Sequence, residues 1–313
     1  MSVGKIVVLG GSGFVGRHLV SRLVVAGWRV IVPTRQRERA KHLILLPTVD
    51  VLEADVHDPT ALARLVAGAD AAVNLVGILN ESRRGDFERA HLELVRKLIA
   101  ACRAARVPRL MHMSALHADP AGPSRYLRSK GEAEALVAHA DLAWTIFRPS
   151  VIFGREDAFL NLFAKIERVL PVIALAGAHA RFQPIYVGDV GNAFVHALGD
   201  DRTHRQRYSL CGPKVYTLRE LVAYVGELTG YRRPIMPLGA TLGALQASVL
   251  ELLPGKLMSR DNLASMQVDS VCDGGFPPLF GTQPSALEAI APEYLAPAAR
   301  RDRYSSLRAQ GGR

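Results

Sequence analysis

Short apolar runs alternate with longer segments of helical periodicity along the first half of the chain. This alternation is typical of β-α-β units that build a parallel sheet. It predicts strands at residues 5–9, 28–32, 49–54, 71–76, 109–113 and 143–147, and helices at 14–26, 37–46, 61–67, 86–106 and 124–140. Because right-handed crossovers place the helices on both faces of such a sheet, we predict an α/β fold with a doubly wound parallel sheet of Rossmann type.

The pattern becomes irregular beyond Pro149, and proline becomes frequent towards the end of the chain. Helices are predicted at 157–169, 190–198 and 217–229, and extended segments at 182–187 and 208–211. Such a region suits a smaller lid better than a second independent core. We therefore predict a sheet domain over 1–150, a C-terminal α/β lid over 151–300 that partly returns to the sheet, and a basic tail over 301–313.

Composition narrows the class of protein. The chain has 313 residues, is 49% hydrophobic and carries a formal charge of +10, which describes a globular protein and excludes a disordered or collagen-like one. Its three cysteines, Cys102, Cys211 and Cys272, are far apart and lack the spacing of metal ligands. The sequence therefore predicts neither a disulfide framework nor a metal site, and it favours a reducing compartment.

Charge and hydropathy also bear on partners and localisation. Basic residues are not interleaved with aromatic ones as in nucleic-acid modules, so nucleic acid is not predicted as a partner. No apolar run approaches the ~20 residues that span a bilayer, so any membrane contact is predicted to be peripheral. No signal or transit peptide is recognisable. We predict a cytoplasmic protein, and peripheral contact with the inner face of the plasma membrane stays open.

The first predicted strand runs directly into a G-x-x-G-x-x-G pattern that opens the first helix. Glycines permit a tight turn and let backbone N–H groups approach a pyrophosphate, while the helix N-terminus contributes about half a positive charge. A glycine-rich turn can also be purely structural, but its place after a first strand predicts a dinucleotide site. The cofactor-binding residues predicted in this turn are Gly10, Ser12, Gly13, Phe14, Val15 and Gly16.

The end of the second strand bears on which dinucleotide is bound. An NAD-selective site places an acidic residue about 20 residues beyond the glycines, where it bonds the ribose 2′-hydroxyl. This chain has Thr34 and Arg35 there. Because a guanidinium binds phosphate oxygens through paired charge-assisted bonds, Arg35 favours NADP(H) over NAD(H); the alternative is that Arg35 is a solvated loop residue. Further cofactor contacts are predicted at the ends of the third and fourth strands, at Asp55, Val56, Val76 and Gly77.

A Y-x-x-x-K pattern, formed by Tyr126 and Lys130, lies on the helix predicted after the fifth strand, and Ser114 follows that strand. Residues four apart share one helix face. A nearby ammonium lowers the pKa of a phenol, so Tyr126 can exchange a proton with a carbonyl or alcohol while Ser114 holds the same oxygen. His112 and His117 flank Ser114 and are predicted to be structural. The predicted catalytic residues are therefore Tyr126, Lys130 and Ser114.

These motifs, in this order, resemble the short-chain dehydrogenase/reductase superfamily in its extended or atypical branch. Segments 148–154 and 184–190 match the same branch. The resemblance implies that Tyr126 and Lys130 form the catalytic pair and also contact the cofactor. It further implies that Pro149 and Ile152 contact the nicotinamide half of the dinucleotide.

Segments 124–130 and 153–161 are similar, more narrowly, to the nucleotide-binding accessory subunits of respiratory complex I, alpha subcomplex subunit 9, and their bacterial relatives. This resemblance implies a tightly bound structural NADPH and a role near respiratory NADH:ubiquinone oxidoreductase or in ubiquinone metabolism. Expected partners are a respiratory complex, a quinone-like or other small-molecule substrate, and a peripheral membrane partner. The alternatives are an active NADPH-dependent reductase or nucleotide-sugar epimerase or dehydratase that uses Tyr126 and Lys130, and a scaffold that only binds.

Overall fold

A computed structural model describes residues 4–252 and 258–296, and the predicted basic tail at 301–313 lies outside them. The first half of the chain alternates strands and helices. A 3₁₀ turn (Arg37–Ala40) precedes α2, and a π-helical segment (Glu88–Glu93) precedes α4. The elements are β1 (Lys5–Leu9), α1 (Phe14–Val25), β2 (Arg29–Thr34), α2 (Lys41–Ile44), β3 (Val49–Glu53), α3 (Pro59–Val66), β4 (Ala71–Asn74), α4 (Leu94–Ala104), β5 (Arg109–Met113), α5 (Arg125–Ala138) and β6 (Ala143–Pro149).

The second half contains shorter strands. Pro184 separates two of them, and Val187, which the pattern predicted to be extended, begins a helix instead. The elements are β7 (Ile152–Phe153), α6 (Phe159–Val169), β8 (Ile173–Leu175), β9 (Arg181–Phe182), β10 (Ile185–Tyr186), α7 (Val187–Leu198), β11 (Gln206–Leu210), β12 (Tyr216–Thr217), α8 (Leu218–Thr229), β13 (Ile235–Pro237), α9 (Ala240–Leu252), α10 (Arg260–Ser265), α11 (Leu287–Ile290) and α12 (Pro292–Leu295).

The central sheet has seven parallel strands in the order β11-β6-β5-β4-β1-β2-β3. This confirms the predicted α/β fold of Rossmann type. The chain starts in the middle of the sheet, builds outwards through β2 and β3, and then crosses to the other side of β1 at β4. A sheet of this kind binds ligands beyond the carboxyl ends of its strands, at the point where the strand order reverses.

The seventh strand was not among the six predicted for the sheet. β11 pairs with β6 in parallel register, with Gln206 beside Thr145 and Leu210 beside Pro149. Its sequence has only a short extended pattern, and its pairing partner lies about 60 residues earlier in the chain, so local periodicity does not indicate the pairing.

Two compact units make up the described chain. The first comprises residues 4–149, 187–210 and 277–282, and the second comprises 150–186, 211–252, 258–276 and 283–296. In the first, apolar side chains of β1 and β4 are fully buried and helices cover the sheet. Asp58 and Pro59 begin α3, because the Asp58 carboxylate accepts a hydrogen bond from the Thr60 N–H at 2.9 Å and the proline fits the first helical position.

The second unit is built from three separate two-stranded pairs, β7–β10, β9–β12 and β8–β13. Its core packs α6 and α8 around side chains such as Phe153, Leu221 and Val225. Thr217 and Glu220 form a capping box at the start of α8. The predicted role of this part of the chain as a lid stays a prediction.

The absence of a disulfide, predicted from cysteine spacing, is wrong for this structure. Cys211 and Cys272 are joined by a disulfide, with their Cα atoms 6.1 Å apart, and Cys102 is the one free cysteine among the described residues. Gln183 brings the two segments together: its side-chain N–H donates to the Gly212 carbonyl at 2.7 Å, and its side-chain oxygen accepts from the Cys272 N–H at 3.0 Å. The spacing of the cysteines in the sequence does not predict that Gln183 holds the segments of Cys211 and Cys272 together.

Candidate dinucleotide and catalytic site

The glycine-rich turn joins β1 to α1 and is held by its own backbone. The Gly11 N–H donates to the Val8 carbonyl at 3.2 Å, and the Gly13 N–H donates to the Gly10 carbonyl at 3.0 Å. Gly13 is the N-cap of α1 and has no side chain to cap it, and the first turn of the helix contains no acidic residue. The N–H groups of that turn, at the positive end of the helix, therefore fit an anionic pyrophosphate.

Close backbone packing requires glycine at two positions of the turn. Gly10 has a φ of +78°, and a Cβ there would lie 3.0 Å from the backbone carbon of Leu75, just beyond β4. A Cβ on Gly16 would overlap the Gly10 carbonyl oxygen and the Gly11 backbone. The turn therefore lies close to the end of β4. The other predicted residues of the turn differ in exposure: Ser12 and Phe14 are half-buried, Gly13 is exposed and Val15 is buried.

Arg35 and Asp55 lie beyond the carboxyl ends of neighbouring strands. The Ala54 N–H donates to the Thr34 carbonyl at 3.0 Å, which keeps the ends of β2 and β3 together. Arg35 directly follows β2 and is exposed. Asp55 is exposed and accepts from the His57 N–H at 2.9 Å. The structure thus brings these residues and the half-buried Val56 to the edge of the sheet that carries the glycine turn.

Val76 and Gly77 belong to the loop that follows β4. The Val76 N–H donates to the buried Asn74 side-chain oxygen at 3.1 Å. The amide nitrogen of Asn74 lies 3.3 Å from Nδ1 of His112. Since an amide NH₂ can only donate, Nδ1 accepts and the His112 proton lies on Nε2. Burial, assisted by the charge of Lys130, lowers the pKa of His112 to about 3, so this histidine is neutral.

Lys130 is buried against the same loop. Its Nζ donates to the Met113 carbonyl at 3.2 Å, and a Cβ on Gly77 would lie 3.0 Å from that nitrogen. Burial lowers the pKa of Lys130 to about 8, and the nearby Glu134 carboxylate opposes the shift. The ammonium is therefore only partly charged at slightly alkaline pH.

Tyr126 lies one helical turn before Lys130 on α5 and is half-buried. Its ring packs near those of Phe87 and His91, at centroid distances of 6.1 and 5.9 Å. Burial raises the pKa of Tyr126 to about 12. This contradicts the expectation that Lys130 lowers the pKa of the phenol.

Ser114 is held at the end of β5 by its backbone. Its N–H donates to the Phe147 carbonyl at 2.8 Å, while its hydroxyl is buried and has no hydrogen-bond partner among the described residues. A buried hydroxyl without a partner is unfavourable by itself, so this oxygen suits a polar ligand atom. The catalytic role predicted for Ser114 stays a prediction.

A buried ion pair fixes α5 beyond Lys130. Glu134 is 2% exposed, and the Arg148 Nε donates to its two carboxylate oxygens at 2.9 and 3.0 Å. Arg207 lies 3.5 Å from the same carboxylate. Because a buried carboxylate needs such partners, this pair joins the turn after Lys130 to β6.

Pro149 and Ile152 lie in different units. Pro149 ends β6, and its carbonyl accepts from the Leu116 N–H at 3.0 Å. Ile152 lies in β7 of the second unit, where it pairs with Ile185. The structure thus brings the predicted residues of the first unit together at one edge of the sheet and places Ile152 in the other unit.

Sequence reasoning missed His91, Ser129 and Asn74, which hold the loop after β4 and the start of α5 by side-chain hydrogen bonds. His91 lies on the π-helical segment. A π turn changes which residues face inward, and no periodicity in the sequence predicts it.

Comparisons with known proteins support dinucleotide binding. A family model for NAD(P)H binding matches residues 10–158. Mitochondrial NADH dehydrogenase (ubiquinone) 1 alpha subcomplex subunit 9 of Mus musculus is 33% identical over 297 residues, which is 92% of this chain and 78% of that protein. The protein of the same name from Arabidopsis thaliana is 36% identical over 265 residues, 80% of this chain and 65% of that one.

A solved structure shares the fold. The NADPH-dependent quinone oxidoreductase QOR2 from Escherichia coli, crystallised with NADPH, matches with a TM-score of 0.73 at 20% identity, over 91% of this chain and 98% of that one. The fold, the glycine turn and the family model define an NAD(P)-binding protein of the short-chain dehydrogenase/reductase type. More narrowly, the chain belongs to the family of NADH dehydrogenase (ubiquinone) 1 alpha subcomplex subunit 9.

Helices of the described part of the chain are short. Within residues 4–252 and 258–296, none is long and apolar enough to cross a membrane.

Proposed function

We propose that this chain holds NADPH tightly as a structural nucleotide and works beside a respiratory NADH:ubiquinone oxidoreductase or in ubiquinone metabolism. The observation that carries the proposal is the glycine turn: the start of α1 lacks a side-chain cap, and the turn lies close to the end of β4. The partner class comes from the relatives named above, which are subunits of that respiratory enzyme.

The preference for NADPH rests on the end of β2. Arg35 is exposed beyond that strand, and the neighbouring Thr34 hydroxyl is engaged locally, since it lies within hydrogen-bond distance of the Gln36 backbone. A guanidinium in this position suits the 2′-phosphate of NADPH, which NADH lacks.

The direct test is the nucleotide that the protein carries. Protein purified from its native host is denatured, the released nucleotide is identified, and its molar ratio to the protein chain is measured. We expect close to one NADPH per chain, together with co-purifying respiratory-complex subunits after cross-linking. Protein that carries no dinucleotide and binds neither NADPH nor NADH on titration would overturn the proposal.

A second candidate function is reduction of a carbonyl or quinone-like substrate. It is favoured by the buried Ser114 hydroxyl, which has no hydrogen-bond partner within the described part of the chain, and by the Tyr126 and Lys130 pair on α5. NADPH, when bound, would supply the hydride; this chain's residues would hold the substrate oxygen at Ser114 Oγ and deliver the proton from the Tyr126 hydroxyl. Substrate-dependent loss of NADPH absorbance that disappears in Tyr126→Phe would establish it. Equal turnover in that variant would remove Tyr126 as the proton donor.

We also propose that the protein works in the cytoplasm, with any membrane contact at the inner face. The Cys211–Cys272 disulfide counts against a cytoplasmic site, because disulfides are rare in reducing compartments, so the proposal requires both cysteines to be reduced in the cell. Thiol trapping in rapidly acid-quenched cells is the test. Reduced cysteines in the cell support the cytoplasmic site, and a fully oxidised pair contradicts it.

A further inference from the structure

His91 lies where the loop after β4 meets helix α5. Its Nε2 accepts a hydrogen bond from the Ile78 N–H at 3.1 Å, and its Nδ1 lies 2.8 Å from the Ser129 hydroxyl. That hydroxyl donates in turn to the Tyr126 carbonyl at 2.8 Å. One buried side chain, 1% exposed, thus joins the loop to the turn of α5 that carries Tyr126.

The hydrogen bonds permit one protonation state of His91. The Ile78 N–H can only donate, so Nε2 carries no proton and the ring proton lies on Nδ1. The Ser129 hydroxyl then accepts from Nδ1 and uses its own proton for the Tyr126 carbonyl. Burial, with a smaller contribution from Lys130, holds the pKa of His91 far below its usual range, so the neutral ring persists through the physiological range.

Ring contacts fix the orientation of the imidazole. Phe87 stacks on it at a centroid distance of 5.4 Å and an interplanar angle of 25°. The Tyr126 ring meets it edge to face, at 75°. Because both ring nitrogens and the ring face are engaged, His91 has little freedom to turn.

The same loop has a second link to α5. The Glu81 carboxylate accepts from the Gly85 and Phe87 N–H groups at 3.1 and 3.0 Å, and it forms an ion pair with Arg125 at the start of α5. The loop is therefore attached at Ile78 and at Glu81. Between β4 and the first of these attachments lies Gly77, whose backbone lies against the Lys130 ammonium.

We propose that His91 is a positioning residue: by joining the Ile78 N–H to Ser129 it fixes the loop after β4 against the Tyr126 turn of α5, and so keeps Gly77 and Lys130 in register for the dinucleotide. The part of this inference that concerns nucleotide affinity rests on the proposed function. The part that concerns the loop does not need a nucleotide.

Three variants of the full-length protein separate the two nitrogens of His91. His91→Phe keeps a ring between Phe87 and Tyr126 but removes both hydrogen bonds. His91→Gln offers an acceptor near the position of Nε2, and Ser129→Ala removes the partner of Nδ1. His179→Phe, at an exposed position of the second unit, is the matched control.

Two measurements need no nucleotide. Amide hydrogen exchange at Ile78 should be about tenfold faster in His91→Phe, since one hydrogen bond is lost. It should stay near the native rate in His91→Gln, in Ser129→Ala, which leaves the bond to Nε2 in place, and in the control. A histidine side-chain ¹⁵N spectrum of the native protein should show His91 neutral with the proton on Nδ1. Unchanged Ile78 exchange in His91→Phe, or a proton on Nε2, would overturn the inference. If His91→Phe does not fold, the ¹⁵N spectrum decides.

NADPH titration then tests the link to function. The dissociation constant should rise about tenfold in His91→Phe and about threefold or less in His91→Gln, with thermal unfolding as the control for global damage. Equal affinities in native protein and His91→Phe would overturn the positioning role. Native protein that binds neither NADPH nor NADH would overturn the proposed function, and the exchange and ¹⁵N results would still decide the role of His91 in the loop.

Discussion

The two units of this chain are stabilised in different ways. In the first, seven parallel strands pair with their neighbours, and apolar side chains of β1 and β4 are completely buried. In the second, three short strand pairs are supplemented by contacts between distant segments, among them the Cys211–Cys272 disulfide and the two hydrogen bonds of Gln183. The comparison teaches that the first unit depends on continuous strand pairing, buried apolar side chains and close backbone contacts. The second unit depends on specific cross-links between distant segments.

The largest effect is expected from the cross-link of the second unit. Replacing Cys211 and Cys272 together by serine should lower the free energy of unfolding by about 4 kcal/mol, because the bridge closes a long loop in the unfolded chain. Denaturant unfolding measures the loss, and added reductant should destabilise the native protein but not the double variant. Cys102→Ala in the first unit is the control, and its unfolding should not respond to reductant beyond the native response.

The cysteine count gives an independent check on that bridge. Native protein that has been purified in air and is then denatured without reductant should expose one reactive thiol, and three after reduction. Three thiols before reduction would show that the second unit does not use the cross-link, and the contrast between the units would fail.

The next effect concerns a close backbone approach in the first unit. Gly16→Ala places a Cβ into the Gly10 carbonyl, so the turn must move, and we expect NADPH affinity to fall about 100-fold, or about 3 kcal/mol. Calorimetric titration measures it. Gly199→Ala, where the nearest atom to a new Cβ is 3.9 Å away, should bind NADPH like the native protein. Equal loss in both variants would mean that crowding at the turn is not the cause.

A buried charge in the first unit should make stability depend on pH. Burial holds the pKa of folded Lys130 at about 8, below its value of 10.5 in an unfolded chain, so the unfolded state binds more protons between these two pH values. The free energy of unfolding of the native protein, relative to Lys130→Met, should therefore rise by about 2 kcal/mol from pH 8 to 10.5. A difference that stays flat or falls over this range would contradict the burial of the ammonium.

The smallest expected effect is on the choice of nucleotide. Arg35→Ala should weaken NADPH binding about tenfold, or about 1.4 kcal/mol, and leave NADH binding nearly unchanged, because only NADPH carries the 2′-phosphate. Competitive titration of both nucleotides measures the ratio. Arg39→Ala, also exposed and a few residues further along, is the control. Equal weakening of both nucleotides in Arg35→Ala would assign Arg35 a role other than selection.

A feature of this fold could be predicted from the sequence when the residues that form it are close together in the chain. The β1–turn–α1 unit and the Asp58-Pro59 start of α3 depend on neighbours within a few residues, so pattern and capping chemistry predict them. The place of β11 beside β6 and the disulfide depend on residues that are far apart in the chain, so neither periodicity nor cysteine spacing indicates them.

The candidate site divides in the same way. The glycines and the Tyr126–Lys130 pair have a local spacing that predicts the turn and the helix on which they lie. His91 does not, because it faces inward through a π-helical segment, and its partners come from a loop and another helix. Local spacing does not predict the pKa of Tyr126 either, because burial in the fold raises it.

The most direct test of the central claim is a crystal structure of the full-length protein with NADPH. The account predicts the pyrophosphate against the N–H groups at the start of α1, and the 2′-phosphate within hydrogen-bond distance of the Arg35 guanidinium. NADPH bound elsewhere, or a glycine turn closed to the pyrophosphate, would contradict it.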